Sequence, residues 1–237
     1  MYVLTIDQRG SSTDIDRVPA LLEGLRLTDG LRPTGGRFER SVGDEVQGVL
    51  SEPGDVVEVA LHALRSGLWY VGIGIGSVNE PLPESPREGS GAAFVAARQA
   101  VDRAKAAASH VPLAVMSGGV PRAGAKARGD EAGARACANA EAVLRLVGRL
   151  VQERTEAQWR VVDALRARNG RDPGRHGQQK QVAQELGISE QSVSRAIIRS
   201  GWQEEWAARP AVEMLLATAH GLVLEASGPE APNRGER

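Results

Sequence analysis

Cysteine, aromatic residues and long apolar runs are all scarce in this chain of 237 residues. The single cysteine, Cys137, excludes an intramolecular disulfide and a multi-cysteine metal site, which favours a reducing compartment. No stretch approaches the roughly eighteen apolar residues that span a bilayer, and the N-terminus lacks a basic region followed by an apolar core. We therefore expect a cytoplasmic protein that neither spans a membrane nor is secreted.

An excess of one charge sign is also missing, since 29 basic residues are matched by 30 acidic ones. This balance excludes a protein coated uniformly in positive charge, but it permits a local basic face. The length fits one large domain or two modest ones with enough apolar residues for a core. Two domains are our expectation.

Strand and helix patterns alternate in the first half of the chain, whereas only helical patterns occur after Gly119. Their order, β, α, β, β, α, β, α, β, predicts an α+β sheet covered by helices on one side. In the first helix, Thr13 or Asp14 is a candidate N-cap and Ile15 a core residue. We predict an α+β domain over 1–118, a connection over 119–137, a helical domain over 138–224 and a disordered tail over 225–237.

The stretch "WYVGIGIGSV" alternates Val and Ile with three glycines. This alternation predicts a strand that carries side chains on one face and bare backbone on the other. We expect another element to approach the bare face closely.

The most specific motif in the chain is "QQKQVAQELGISEQSVSRAIIRSGW". Ala183 is small enough for two crossing helices, Gly187 suits a left-handed turn, and Ser189 is a good N-cap for the second helix. Ile188, Val193 and Ile197 are expected to face the core. The spacing predicts a helix-turn-helix over 178–200, in a region that resembles the corresponding units of sigma-factor region four and MarR-like regulators.

Basic and amide side chains surround this motif, and Gln and Arg are the types that pair bidentately with adenine and guanine. The surplus of positive charge around the motif favours contacts with DNA phosphates. A protein-interaction module with a solvated basic surface is the alternative. We predict contacts with double-stranded DNA from Gln191, Ser192, Ser194, Arg195, Arg199, Lys180, Arg171 and Arg175.

The stretch "ERSVGDEVQGVL" places adjacent carboxylates, Asp44 and Glu45, at the tip of a predicted hairpin. Turn chemistry alone explains a Gly-Asp pair. However, Asp7 ends the first strand, and the hairpin tip can lie beside that strand end. Asp7 and Asp44 would then form a paired-carboxylate site for a divalent metal such as Mg²⁺.

These N-terminal motifs resemble those of class III nucleotide cyclases. "TIDQRGSS" resembles their metal- and phosphate-binding first strand, "VGDEVQGVL" their hairpin, and "GSGAAFVAAR" their helix with a transition-state Asn and Arg. The resemblance implies a ferredoxin-like, cyclase-like sheet, metal ligands at Asp7 and Asp44, and nucleotide contacts from Gly10, Ser11, Ser12 and Arg98. Phe94 stands where the Asn would be, so cyclisation is not expected.

A degenerate cyclase-like domain joined to a helix-turn-helix is similar to the SatD family, whose members are regarded as regulators. We therefore expect a homodimeric transcription regulator whose first domain binds a nucleotide or mediates dimerisation. The apolar stripes of its long helices either build the dimer or pack within one subunit. The alternative is a nucleotidyl cyclase or nucleotide-processing enzyme that carries a helix-turn-helix. In a third possibility the acidic site is empty.

Overall fold

The chain is described by a computed structural model over residues 1–28, 31, 33–34, 38–119, 125–169 and 178–228. These residues form an α+β structure with one mixed five-stranded sheet. The elements are β1 Tyr2–Gln8, α1 Val18–Arg26, β2 Glu39–Arg40, β3 Glu45–Leu50, α2 Pro53–Leu64, β4 Trp69–Ile75, a 3-10 turn at Pro86–Glu88, α3 Ala92–Ala106, β5 Leu113–Ser117, α4 Ala125–Gln152, α5 Glu156–Asn169, α6 Gln178–Leu186, α7 Glu190–Arg199 and α8 Trp202–Ala226.

The strands lie in the order β2-β3-β1-β4-β5, with β1 at the centre. β1 runs antiparallel to β3 and β4, whereas β5 runs parallel to β4. The central register pairs Asp7 with Glu45 on β3 and with Tyr70 on β4. The predicted order of strands and helices in this half of the chain is confirmed.

Helices cover both faces of the sheet, so the prediction of a single helical layer is wrong. One face carries the larger apolar side chains, such as Leu4 and Ile73, and packs against α1, α2 and α4. The opposite face carries Gly72 and Gly74 and packs against α3. A Cβ atom at Gly74 would lie 2.1 Å from the carbonyl oxygen of Ala93. The bare face predicted from the glycine alternation is thus a helix-packing surface.

The first helix begins later than the sequence pattern suggests. It starts at Val18 with Pro19 in its first turn, where proline is well tolerated. Asp14 lies outside the helix and forms an ion pair with Arg17, and Ile15 is 70% exposed. Both the proposed cap at Thr13 or Asp14 and the core position of Ile15 are therefore wrong.

Long helices join the two predicted domains. α4 begins at Ala125, so the segment that the sequence predicts as a connection is mostly the first half of this helix. α4 packs against β5, α2 and α8, and α8 also packs against α2. The apolar stripes of α4 and α8 that suggested a dimer thus contact each other within one chain. Of the predicted tail, Glu225 and Ala226 end α8, while residues 229–237 lie outside the described residues.

The predicted two-helix motif takes the form of α6 and α7 joined by a three-residue turn. Gly187 has a φ of +64°, and the Ser189 side chain accepts a hydrogen bond from the Ser192 amide. Val193 and Ile197 are buried, as predicted, whereas Ile188 is 39% exposed and is not a core residue. The unit packs on α5, whose first turn has the reciprocal Thr155 and Gln158 hydrogen bonds of a capping box.

Candidate functional site

Two acidic side chains share the sheet face that α3 covers, at the end of β1. Asp7 and Glu45 are direct cross-strand partners on β1 and β3, and their side chains are 11% and 3% exposed. Since side chains alternate along a strand, register partners point to the same side of the sheet. These two residues form what we call the carboxylate pair.

Two cations on α3 face the carboxylate pair. Lys105 Nζ donates a hydrogen bond of 2.7 Å to Asp7 Oδ2, and Arg98 Nη1 donates to Glu45 Oε2. Arg98 and Lys105 are seven residues apart, which places them on one side of the helix. The second oxygen of Glu45, Oε1, is buried and has no hydrogen-bond partner in the described part of the chain.

Burial dominates the electrostatics of the pair. It raises the pKa of Asp7 above its ordinary value, because Lys105 offsets the desolvation only in part and nearby Asp44 adds repulsion. Burial likewise raises the pKa of Glu45, with Arg98 opposing the shift and Asp7 adding to it. Carboxyl groups with raised pKa values beside cations are typical of sites that exchange protons.

The predicted site residues are partly brought together. Asp7 and Arg98 lie on the same face, joined through Glu45, and Asp44 is near enough to raise the pKa of Asp7. Gly10, Ser11 and Ser12 form an exposed turn after β1, with a φ of +66° at Gly10. In the described residues, no hydrogen bond joins Ser11 or Ser12 to the carboxylate pair.

The negative charge that a divalent metal would need at the carboxylate pair is already compensated by Lys105 and Arg98. Carboxylate oxygens suit Mg²⁺, but Asp7 Oδ2 is held by Lys105. Across the described ranges, no group of three or more His, Cys, Asp and Glu side chains is arranged to hold a metal ion. A metal at Asp7 and Asp44 would therefore compete with Lys105 for the Asp7 carboxylate.

Sequence reasoning missed Glu45 and Lys105 as members of this site. A usable signal was present, since Glu45 and Gln47 lie two residues apart in an otherwise apolar strand and so share a face. Gln47 donates a hydrogen bond to Thr5 on the same face. What the sequence could not give is the register that pairs Glu45, rather than Asp44, with Asp7.

The predicted DNA-contacting residues of α7 are exposed, with one exception. Gln191, Ser192, Arg195 and Arg199 are exposed, and Ser194 is half-buried. Lys180 is exposed at the start of α6. Arg171 and Arg175 lie outside the described residues. The four exposed side chains of α7 and the side chain of Lys180 are thus available to a binding partner.

Part of the predicted basic surplus is neutralised within the chain. Arg166 forms an ion pair with Glu58, and Arg168 forms one with Glu185. In the described part of the chain, Arg195 and Arg199 have no ion-pair partner. The exposed positive charges of the two-helix unit are thus Lys180 on α6 and Arg195 and Arg199 on α7.

A scan of protein-family models finds none that matches the chain, and searches of curated proteins and of solved structures find no similar protein. In the part of the chain that the structure describes, no helix is both long enough and apolar enough to cross a membrane.

The raised pKa of Glu45 gives a prediction about stability. A carboxyl whose pKa is higher in the folded state binds its proton more tightly there, so its contribution to stability is present at low pH and is lost as pH rises through the raised pKa. We expect Glu45→Gln to raise the free energy of unfolding at neutral pH, rather than to cause the loss of about 1 to 3 kcal/mol typical of removing a partnered buried group.

Urea unfolding of the wild type and Glu45→Gln at several pH values tests this expectation. The gain should shrink as the pH falls, because Glu45 is then protonated in both states of the wild type. Asp44→Asn is the matched control, since it removes one charge from the half-buried neighbouring residue and affects the pair only through a minor repulsion of Asp7. A Glu45→Gln variant that is less stable at neutral pH would contradict the account.

Proposed function

We propose that this protein is a cytoplasmic transcription regulator that reads double-stranded DNA with α7. The carrying observation is the division of α7 into two sides. Val193 and Ile197 are buried against the neighbouring helices, whereas Gln191, Ser192 and Arg195 are exposed. A helix fixed by its apolar side and free on its polar side suits insertion into the major groove.

The order of residues along α7 supports this proposal. In helix-turn-helix proteins, the N-terminal residues of the second helix contact base edges. Gln191 and Ser192 lie in the first turn of α7, and Arg195 follows one turn later on the same side. The Ser189 cap and the left-handed Gly187 fix the entry to this helix.

Phosphate contacts would come from the residues that flank the reading surface. Lys180 and Arg199 are exposed at opposite ends of the two-helix unit. Since Arg166 and Arg168 are paired with carboxylates, fewer cations remain than the sequence count suggests. We therefore expect a moderate salt dependence of DNA binding, set by a few phosphate contacts.

Arg195→Ala is expected to weaken specific DNA binding by about 1 to 3 kcal/mol, because a bidentate contact with guanine would be lost. The DNA is first obtained by selecting genomic fragments with the purified protein at moderate salt. Affinity is then measured for the selected sequence and for a scrambled one. The loss should be confined to the selected sequence.

Arg135→Ala is the matched control, since Arg135 is also an exposed helical arginine but lies in the first half of α4. It should leave the affinity unchanged. Equal weakening by the two variants, or recovery of no shared sequence by the wild type, would contradict base reading by α7.

The sheet domain is proposed to act as a ligand-binding or dimerising part of the regulator. The succession β1-α1-β2-β3-α2-β4 is that of a split βαβ unit, which supports the likeness to ferredoxin-like and cyclase-like domains and to the SatD family. A homodimer would match the two-fold symmetry of a palindromic operator. A nucleotide near Arg98, with or without Mg²⁺, belongs to the same proposal.

An enzyme is the second candidate, and the carboxylate pair is the observation that favours it. Raised carboxyl pKa values beside fixed cations are common at catalytic sites. Incubation with nucleoside triphosphates and Mg²⁺ separates the candidates. Turnover by the wild type that Glu45→Gln lacks would favour the enzyme, whereas DNA selection without turnover favours the regulator.

A further inference from the structure

A cavity lies on the other face of the sheet from the carboxylate pair, between α1, β2 and the 3-10 turn. Its volume is about 580 Å³. Pockets that hold small organic ligands measure roughly 300 to 1,000 Å³ and are mostly apolar, with a few polar groups. This cavity therefore has the size of a small-molecule site.

The floor of the cavity is apolar and anchored in the core. Leu25 and Phe38 are buried, and Leu22 and Leu31 are half-buried beside them. The Phe38 ring occupies the place of the missing side chain at Gly48, because a Cβ atom there would lie 2.4 Å from the ring. A strand glycine thus fixes the aromatic residue in the floor.

The charged residues around the cavity are mostly paired with one another or with neighbours. Arg26 forms two hydrogen bonds with Glu23, and Arg40 forms an ion pair with Asp16. The positive charge of each arginine is therefore compensated by a neighbouring carboxylate. Neither leaves a free positive charge for a ligand.

Arg87 is the exception at the rim. The residue that precedes its 3-10 turn contacts the edge of the sheet, where Ser85 Oγ donates a hydrogen bond of 2.7 Å to Glu39 Oε2. In the described part of the chain, the Arg87 guanidinium has no hydrogen-bond or ion-pair partner. Five donors in a planar fork suit a carboxylate or a phosphate.

We propose that this cavity binds an amphipathic anion, with its apolar body on the Leu22, Leu25 and Phe38 floor and its carboxylate or phosphate head on Arg87. The apolar floor explains the body of the ligand, and the unpaired guanidinium explains the sign of its head. The site is independent of α7 and of the carboxylate pair. If no anion binds in the cavity, the proposed DNA-binding function is unaffected.

Calorimetric titration of the full chain tests the proposal with octanoate, octyl phosphate and octylamine as probes. Saturable binding is expected for at least one anion and not for octylamine, which has the same chain and the opposite charge. The stronger of the two anions identifies the head group. No saturable binding of either anion, or equally tight binding of octylamine, would overturn the proposal.

Two variants of equal charge change locate the site. Arg87→Gln should weaken anion binding about tenfold or more, as expected for a lost hydrogen bond to a charged group. Arg26→Gln, at the same cavity, should change it by about twofold or less because its guanidinium is already paired. Equal weakening by both variants would indicate general charge attraction instead.

Leu22→Trp should abolish binding, because the larger indole side chain would fill the space beside Leu22 in the cavity. Thermal unfolding verifies that this variant folds. If Leu22→Trp proves unfolded, the contrast between Arg87→Gln and Arg26→Gln still decides the outcome, because both arginines are exposed. Undiminished binding by a folded Leu22→Trp would place the ligand elsewhere.

Discussion

Replacing Gly74 with alanine is expected to lower the free energy of unfolding by about 3 kcal/mol, at the upper end of the effect of overpacking a core. A Cβ atom at Gly74 would lie 2.1 Å from the Ala93 carbonyl oxygen and 2.3 Å from the Ala97 amide nitrogen. Both are backbone atoms of α3, so no side-chain rotation can relieve the contact. The helix itself would have to move away from β4.

The measurement is chemical unfolding of the two proteins, and Gly221→Ala provides the control. Gly221 is an exposed position in α8, with no atom within 4 Å of the added Cβ. There the same substitution should stabilise the protein by about 0.5 to 1 kcal/mol, because glycine is the poorer helix former. Equal effects at the two positions would contradict the close approach of α3 to β4.

A displaced α3 should also disturb the carboxylate pair, because Arg98 and Lys105 belong to this helix. The pH dependence of stability in Gly74→Ala should therefore differ from that of the wild type. The packing of α3 on β4 thus determines both the stability of the sheet and the position of the two cations that face the carboxylate pair.

Local patterns in the sequence were sufficient for the features that depend on neighbouring residues. The alternation of Gly72 and Gly74 with apolar residues predicts a bare strand face, and a helix does pack on it. Ser189 and Gly187 predict the cap and turn between α6 and α7 for reasons of backbone chemistry alone. Such features are encoded within a few residues.

Features that depend on tertiary packing could not be predicted in this way. The first half of α4 is rich in Ala and Gly and has little amphipathic pattern, so it suggested a connection. Gly133 instead lets α8 approach α4, since its added Cβ would lie 3.0 Å from Val223. The pairing of Asp7 with Glu45 likewise depends on a strand register that turn chemistry at Asp44 does not reveal.

A buried ionic cluster connects α2 of the sheet domain with α8 and with the C-terminal end of α7. Arg209 on α8 pairs with Glu58 on α2 and with Glu205 one turn earlier. Glu205 also pairs with Arg154, which donates a hydrogen bond to the Ser200 carbonyl at the end of α7. Charged side chains with little exposure to water thus link α2 with α8 and with the end of α7.

Removing Arg209 should cost about 3 to 5 kcal/mol, which is typical of breaking a buried ion pair from one side. The Arg209 side chain is 8% exposed, and Glu58 and Glu205 beside it are 12% and 3% exposed. Arg209→Ala leaves two carboxylates buried near each other with less compensation. Chemical unfolding at neutral pH measures the loss.

Arg26→Ala is the control for Arg209→Ala. Arg26 is also ion-paired, but its side chain is 69% exposed, so its removal should change stability far less than removal of Arg209 does. A similar loss in the two variants would mean that the cluster is no more stabilising than a surface pair.

The pH dependence gives the sharper test of the Arg209→Ala prediction. Burial would raise the pKa of Glu58, but Arg209 and Arg166 outweigh it and hold the pKa below the ordinary value of 4.5. A lowered carboxyl pKa stabilises the wild type above this ordinary value, and that contribution is lost as pH falls through the lowered pKa. Without Arg209, Glu58 loses much of this lowering and can be protonated in the fold at higher pH. The stability deficit of Arg209→Ala should therefore shrink as pH falls below 4.5 toward the lowered pKa of Glu58, whereas a deficit that arises from lost packing alone would stay constant.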